Sequence, residues 1–146
     1  MSKPKIETPL TPELCCTDIR VSVKFYVDVL GFTVQYQRPE NGFAMLERQG
    51  SRIMLDQINP GSNRSWISGS LEKPYGRGMN LQMITTNVQE LYERVQQSGA
   101  SIFLPMEEKW YRADDAYLGN KQFIVQDPDG FLLRFFEDLG ERAKPG

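Results

Sequence analysis

The same succession of local patterns is written twice along this chain, and that repetition limits its fold more than any other feature. In the first pass, residues 13–17 read as a short strand and Asp18 as a helix N-cap. Ile19, Val23, Tyr26, Val27 and Leu30 follow at helical spacing up to Gly31, a natural C′ residue. Residues 32–37, 43–48 and 52–58 then read as strands, with Asn41-Gly42 and Gln49-Gly50 as the turns between them. Residues 59–78 are polar, rich in Gly, Ser and Pro, and read as a linker or functional loop. The second pass opens with a strand at 79–85. Asn87 and Glu90 form a capping-box-like pair, and Val88, Leu91, Tyr92 and Val95 make the apolar stripe of a helix ending at Gly99. A strand at 101–104 leads into a loop expected from Pro105 to Tyr117. Residues 118–126 and 131–137 form a hairpin across Asp127-Pro128-Asp129-Gly130, where proline second and glycine fourth suit a type I turn.

The order is βαβββ twice, an α+β class. The expectation is one domain over residues 1–146, built of module 9–58 and module 79–137 joined by loop 59–78. Each module has one helix to cover one face of a curved mixed sheet. The opposite faces are left to enclose a cleft or to meet a second chain.

The totals narrow the function. Hydrophobic residues make up 40% and charged residues 25% of 146, as in ordinary globular domains. A domain of this size buries about 68–70% of its unfolded surface, enough for a core without staples. The net charge of −2, with no Lys/Arg run, argues against nucleic acid, whose affinity comes largely from neutralised phosphates. No stretch approaches the ~18 apolar residues of a membrane span. Met1 to Pro12 is polar and proline-rich, so no secretory signal is expected. Cys15 and Cys16 are adjacent and point to opposite sides of a strand, which excludes a disulfide framework and suits a cytoplasmic, reducing compartment. There is no histidine, the commonest metal ligand and the usual general base near neutral pH.

Three segments carry a resemblance. Asp18-Ile19-x-x-Ser22-Val23-x-Phe25-Tyr26-x-x-x-Leu30-Gly31-Phe32 resembles the opening segment of the vicinal-oxygen-chelate superfamily, which comprises glyoxalases, bleomycin-resistance proteins and dioxygenases. Asn87-Val88-x-x-Leu91-Tyr92 to Ser98-Gly99-Ala100 resembles the same segment in its second half. Phe123-x-x-x-Asp127-Pro128-Asp129-Gly130-Phe131-Leu132-Leu133-Arg134-Phe135 resembles its closing hairpin. The likeness runs from about Pro9 to Glu137. It implies two βαβββ modules around a cleft and, in most enzymes of the superfamily, a metal held by His and Glu at equivalent positions of the two halves. By resemblance those positions fall at Thr11, near Met54, at Asn80 and at Arg134. Threonine and asparagine are weak neutral ligands, methionine is soft, and arginine puts a permanent positive charge where a cation belongs. The glyoxalase, dioxygenase and fosfomycin-transferase activities are therefore not expected, nor is any metal or other cofactor.

If those four positions point into the cleft, strand alternation adds Glu13, Arg52, Asp56, Gln82, Leu132 and Phe136, and groups Phe43, Met45 and Glu47 on the third strand. Leu14, Ile53, Leu55, Leu81, Met83, Leu133 and Phe135 fall on the faces under the helices. The two irregular segments carry Trp66, Tyr75 and the run Glu107-Glu108-Lys109-Trp110-Tyr111-Arg112-Ala113-Asp114-Asp115. Aromatic residues in polar loops suit contacts. Expected ligand-binding residues are Phe43, Met45, Glu47, Met54, Trp66, Gln82, Trp110, Tyr111, Arg112 and Arg134. The alternatives are that Trp110 or Trp66 plugs a dimer interface, and that Arg134 pairs with Glu13 or Glu47 as a structural salt bridge.

Metal-free bleomycin-binding members are similar in these respects. The resemblance implies a homodimer that sequesters a flat or cationic ligand, such as a bleomycin-type glycopeptide, at the subunit boundary. Trp66, Trp110, Tyr111 and Phe43 would stack on it, and Glu107, Glu108, Asp114 and Asp115 would supply counter-charge. Two other functions stay open. One is a metal-independent isomerase or lyase on a carbonyl substrate, with Glu13 or Glu47 as base and Arg134 stabilising an enolate. The other is a structural dimer with a vestigial cleft.

Overall fold

The computed structural model describes residues 8–58 and 66–143. Most of the proline-rich N-terminal stretch and residues 59–65 of the linking loop lie outside the described residues. Contacts divide the chain into two compact units, one ending at Leu71 and the other beginning at Glu72. Among the described residues each contains a four-stranded mixed sheet with one helix packed on it, and the first adds a short 3-10 turn at Pro39–Asn41, so the fold is α+β.

In the first unit, β1 (Glu13–Cys16) leads to α1 (Ile19–Lys24). The Asp18 carboxylate accepts from the Arg20 amide at 3.0 Å, as an N-cap should. The helix widens into one π-type turn over Phe25–Val29, with the Leu30 amide reaching back five residues to the Phe25 carbonyl. β2 (Thr33–Arg38), β3 (Phe43–Arg48) and β4 (Ser51–Gln57) complete the sheet in the order β1-β4-β3-β2, with β1 and β4 parallel. Gln49 and Gly50 turn the β3–β4 hairpin with φ of 48° and 91°, the paired positive values of a two-residue type I′ turn. Leu14, Leu46, Ile53 and Leu55 are buried on the helix side, with Tyr26, Leu30 and Phe32 fully covered.

The second unit repeats this with β5 (Asn80–Ile84), α2 (Val88–Ser98), β6 (Ile102–Ala113), β7 (Ala116–Gln126) and β8 (Leu132–Ala143), in the order β5-β8-β7-β6. Asn87 accepts from the Glu90 amide at 3.3 Å and donates to its carboxylate at 3.0 Å, which closes the expected capping pair. Val88, Leu91 and Val95 are buried against the sheet, and Tyr92 meets Phe123 edge-on at 5.0 Å. Phe123, Val125, Leu133 and Phe135 have no exposed surface. Burying each such side chain contributes roughly 1.5–3 kcal/mol, so this layer holds the unit together. Asp127 shapes the expected turn, its carboxylate accepting from the Asp129 and Phe131 amides at 2.9 Å.

The two units share one further device. The Ile19 amide donates to Gln57 Oε1 and the Val88 amide to Glu137 Oε1, both at 2.9 Å. In each half, a side chain from the strand parallel to the first strand holds the first turn of the helix.

Two expectations about the second unit are corrected. Residues from Pro105 to Tyr117 are not a loop. β6 runs through to Ala113 and β7 begins at Ala116, while β8 continues past Glu137 to Ala143. Together they form a three-stranded antiparallel extension. On β6 each face of it mixes charged with aromatic groups, Glu107, Lys109 and Tyr111 on one and Glu108, Trp110 and Arg112 on the other, so no apolar periodicity marks it. Backbone pairing carries it, with register shifts on both sides of Leu104, next to Pro105, which has no N–H to give.

Candidate functional site

The open face of each sheet is the one turned away from its helix. Cross-strand neighbours share a face, so register identifies its members. In the first unit the row Glu13–Met54–Met45–Tyr36 lies beside Cys15–Asp56–Phe43–Arg38. Phe43 and Met45 are buried. Tyr36 lies 6.0 Å from the Phe43 ring, and the Arg38 guanidinium stacks 4.0 Å above it. Burial pushes the Asp56 carboxyl above its ordinary range, and Arg38 offsets part of that rise. Glu47 is occupied locally: it accepts from the Gly50 amide at 2.8 Å and so braces the turn.

In the second unit the open face carries a polar cluster around Gln122, which is 2% exposed. Arg134 Nε and Nη2 donate to Gln122 Oε1 at 3.0 and 2.8 Å. Arg134 Nη2 also donates to the Tyr111 hydroxyl at 3.0 Å. Gln122 Nε2 donates to the same hydroxyl at 2.7 Å and, at 3.5 Å, to Glu107. Gln82 and Ile124 are the register neighbours of Arg134, and Phe136 is that of Gln122. The result is a half-buried guanidinium held flat on a partly apolar sheet. Among the described residues no carboxylate lies within ion-pair distance of it.

The expected site residues therefore fall into groups. Phe43, Met45, Glu47 and Met54 share the open face of the first unit. Gln82, Tyr111 and Arg134 share that of the second. Trp110 and Arg112 alternate with Tyr111 and lie on the helix side of the strand extension. There Trp110 packs over Gly119, where an added Cβ would come within 2.6 Å of the ring. Arg142 stacks 4.0 Å from that ring, and the indole N–H donates to Glu108 at 3.2 Å. Trp66 lies in the irregular segment before the second unit and is 65% exposed. Sequence reasoning missed Gln122, Arg38 and Tyr36. Alternation from buried Phe123 could have found Gln122, whereas the register shift between Val34 and Tyr36 hid the other two.

Two mixed sheets, each with one helix on one face, define the class to which comparison with known proteins can be put. The Glyoxalase/Bleomycin resistance protein/Dioxygenase superfamily matches residues 9–135, and the chain belongs to that family. It is similar to bleomycin resistance proteins of Geobacillus stearothermophilus and Staphylococcus aureus. Each is 31% identical over 139 residues, covering 88% of this chain and 95% of the relative. Among solved structures, TioX from a Micromonospora species is 25% identical with a TM-score of 0.64, covering 90% of this chain and 99% of that one. A protein of Agrobacterium tumefaciens shares the fold at 21% identity and a TM-score of 0.69, covering 95% and 97%.

The metal that many members of this family use does not fit the residues here. Met54 stands between Glu13 and Met45 in register, and Arg134 is a permanent cation tied to two neutral groups. A divalent ion at Met54 would meet a thioether, and one at Arg134 would meet like charge. Among the described residues no three Cys, Asp or Glu side chains gather into a metal-binding group.

Proposed function

We propose that this protein binds and sequesters a small molecule without a metal, on the open sheet faces, as a homodimer with the ligand at the subunit boundary. The observation that carries the reading is Arg134, held by Gln122 and Tyr111 at the position where the family's enzymes place a metal-binding carboxylate. Sequestration needs affinity and no reacting group. Phe43 and Tyr36 in one unit, and Tyr111 in the other, offer aromatic surface for a flat ligand. Glu107, which accepts from Gln122, supplies negative charge on the same face for a cationic one. Kinship with bleomycin resistance proteins makes a bleomycin-type glycopeptide the first ligand to test. No step of this function uses a cofactor, nucleic acid or membrane, and it suits a cytoplasmic protein.

Calorimetric titration of metal-stripped protein with copper-free bleomycin tests it. The expected result is saturable binding of about one drug per subunit to a species that sediments as a dimer. Absence of heat at every concentration would remove the drug assignment.

A further inference from the structure

The Arg134 cluster has an internal logic that specifies part of its ligand. Arginine carries only donors, so the atom of Gln122 that faces it must be the carbonyl oxygen. That places Nε2 of Gln122 towards Tyr111, 2.7 Å from its hydroxyl oxygen. The Tyr111 oxygen then accepts twice, once from Gln122 and once from Arg134. Its own proton is used by neither bond, and among the described residues no acceptor is hydrogen-bonded to it. Arg134 spends Nε and Nη2 on Gln122 and Tyr111, which leaves Nη1 without a described partner. The cluster thus offers unspent donors and the positive charge of Arg134, with one carboxylate, Glu107, 3.5 Å from Gln122 Nε2. Ile124 and Phe136 sit beside it on the same face, where a lower local dielectric strengthens such contacts.

From this geometry we propose that Arg134 and the Tyr111 hydroxyl form an oxyanion subsite that takes the carboxylate or phosphate of a small-molecule ligand. Gln122 is the positioning residue: buried, with both ends of its amide spent, it fixes the guanidinium plane and turns the Tyr111 proton outward. The proposal rests on the reading that this face takes a small molecule. It adds that the group taken by this subsite is an anionic oxygen group; a bleomycin-type glycopeptide, which is cationic and carries no carboxylate or phosphate, would lie on the aromatic surface beside the subsite without filling it.

The test follows the Arg134 Nε–H resonance in two-dimensional NMR of the full chain. Sodium benzoate and sodium phosphate are titrated separately, each against sodium chloride at matched ionic strength. The expected result is a saturable shift with benzoate, phosphate or both, absent with chloride. Benzoate alone identifies a carboxylate, phosphate alone a phosphate ester, and both an oxyanion read mainly by charge. Tyr111→Phe, which keeps the ring, should weaken the binding about tenfold, the worth of one charge-assisted hydrogen bond. Arg134→Met should abolish it as followed by neighbouring amides. A shift no larger than that of chloride, or one unchanged in Tyr111→Phe, would overturn the proposal, and neither result depends on the folding of Arg134→Met. Oxyanion binding without bleomycin binding would sink only the drug assignment; bleomycin binding without oxyanion binding would sink only the subsite.

Discussion

Asp56 sits between Cys15 and Phe43 in the register of the first sheet, where burial raises its carboxyl pKa and Arg38 only partly offsets the rise. The sign of its effect on stability follows. Below the ordinary value of 3.8 the group is protonated folded and unfolded, and it costs nothing. As pH rises, the unfolded chain ionises first, so stability falls until the folded carboxyl has ionised too, and the loss then stays constant. Asp56→Asn removes that loss. The variant is expected to melt above the wild type at neutral pH, and the gap should close as pH falls through the carboxylate range in a calorimetric series. A gap independent of pH would contradict this. At Gly119 the limit is steric: a methyl group would enter the Trp110 ring. Gly119→Ala should cost about 1 kcal/mol, at the low end for overpacking because the ring can swing outward. The displaced indole leaves Arg142, so its fluorescence should shift towards that of exposed tryptophan.

The elements differ in how they are held, and this decides which of them were legible in sequence. α2 announces itself through Asn87, Glu90 and the stripe of Val88, Leu91 and Val95, because local capping and one buried face fix it. Asn87 also sits at φ 47°, which penalises most replacements. Asn87→Ala should therefore cost about 1–2 kcal/mol, from the lost cap and the strained backbone together, and Asn87→Gly less, because glycine takes that conformation freely. Denaturant melts of the two variants measure the difference; equal losses would mean that backbone strain contributes nothing. The extension of β6, β7 and β8 is the opposite case. Glu107, Lys109 and Tyr111 face one way and Glu108, Trp110 and Arg112 the other. Neither set is apolar, so residues that pair as strand read as loop. The same misreading put Trp110 beside Tyr111 in one pocket, whereas strand alternation sends them to opposite faces.

Across the whole molecule the repeat was legible because each half obeys the same rules independently, down to Gln57 and Glu137 holding equivalent helix starts. The positions facing away from the helices on β3, β4 and β5 were legible too, since a period of two and one anchor suffice where no register shift intervenes. What escaped was pairing between distant strands: Gln122 reaches Arg134 and Tyr111 only through the β6–β7–β8 register. On the proposed reading each open face, built of Phe43, Met45 and Met54 in the first unit and of Tyr111 and Arg134 in the second, binds ligand without metal. The most direct measurement labels the methionine methyls and the arginine Nε–H groups of metal-stripped protein for NMR, with copper-free bleomycin as titrant. Saturable shifts at Met45, Met54 and Arg134, with Arg112 and Arg142 on the other face unmoved, are the predicted result. Shifts confined to Arg112 and Arg142, or binding that appears only when a divalent metal is restored, would contradict it.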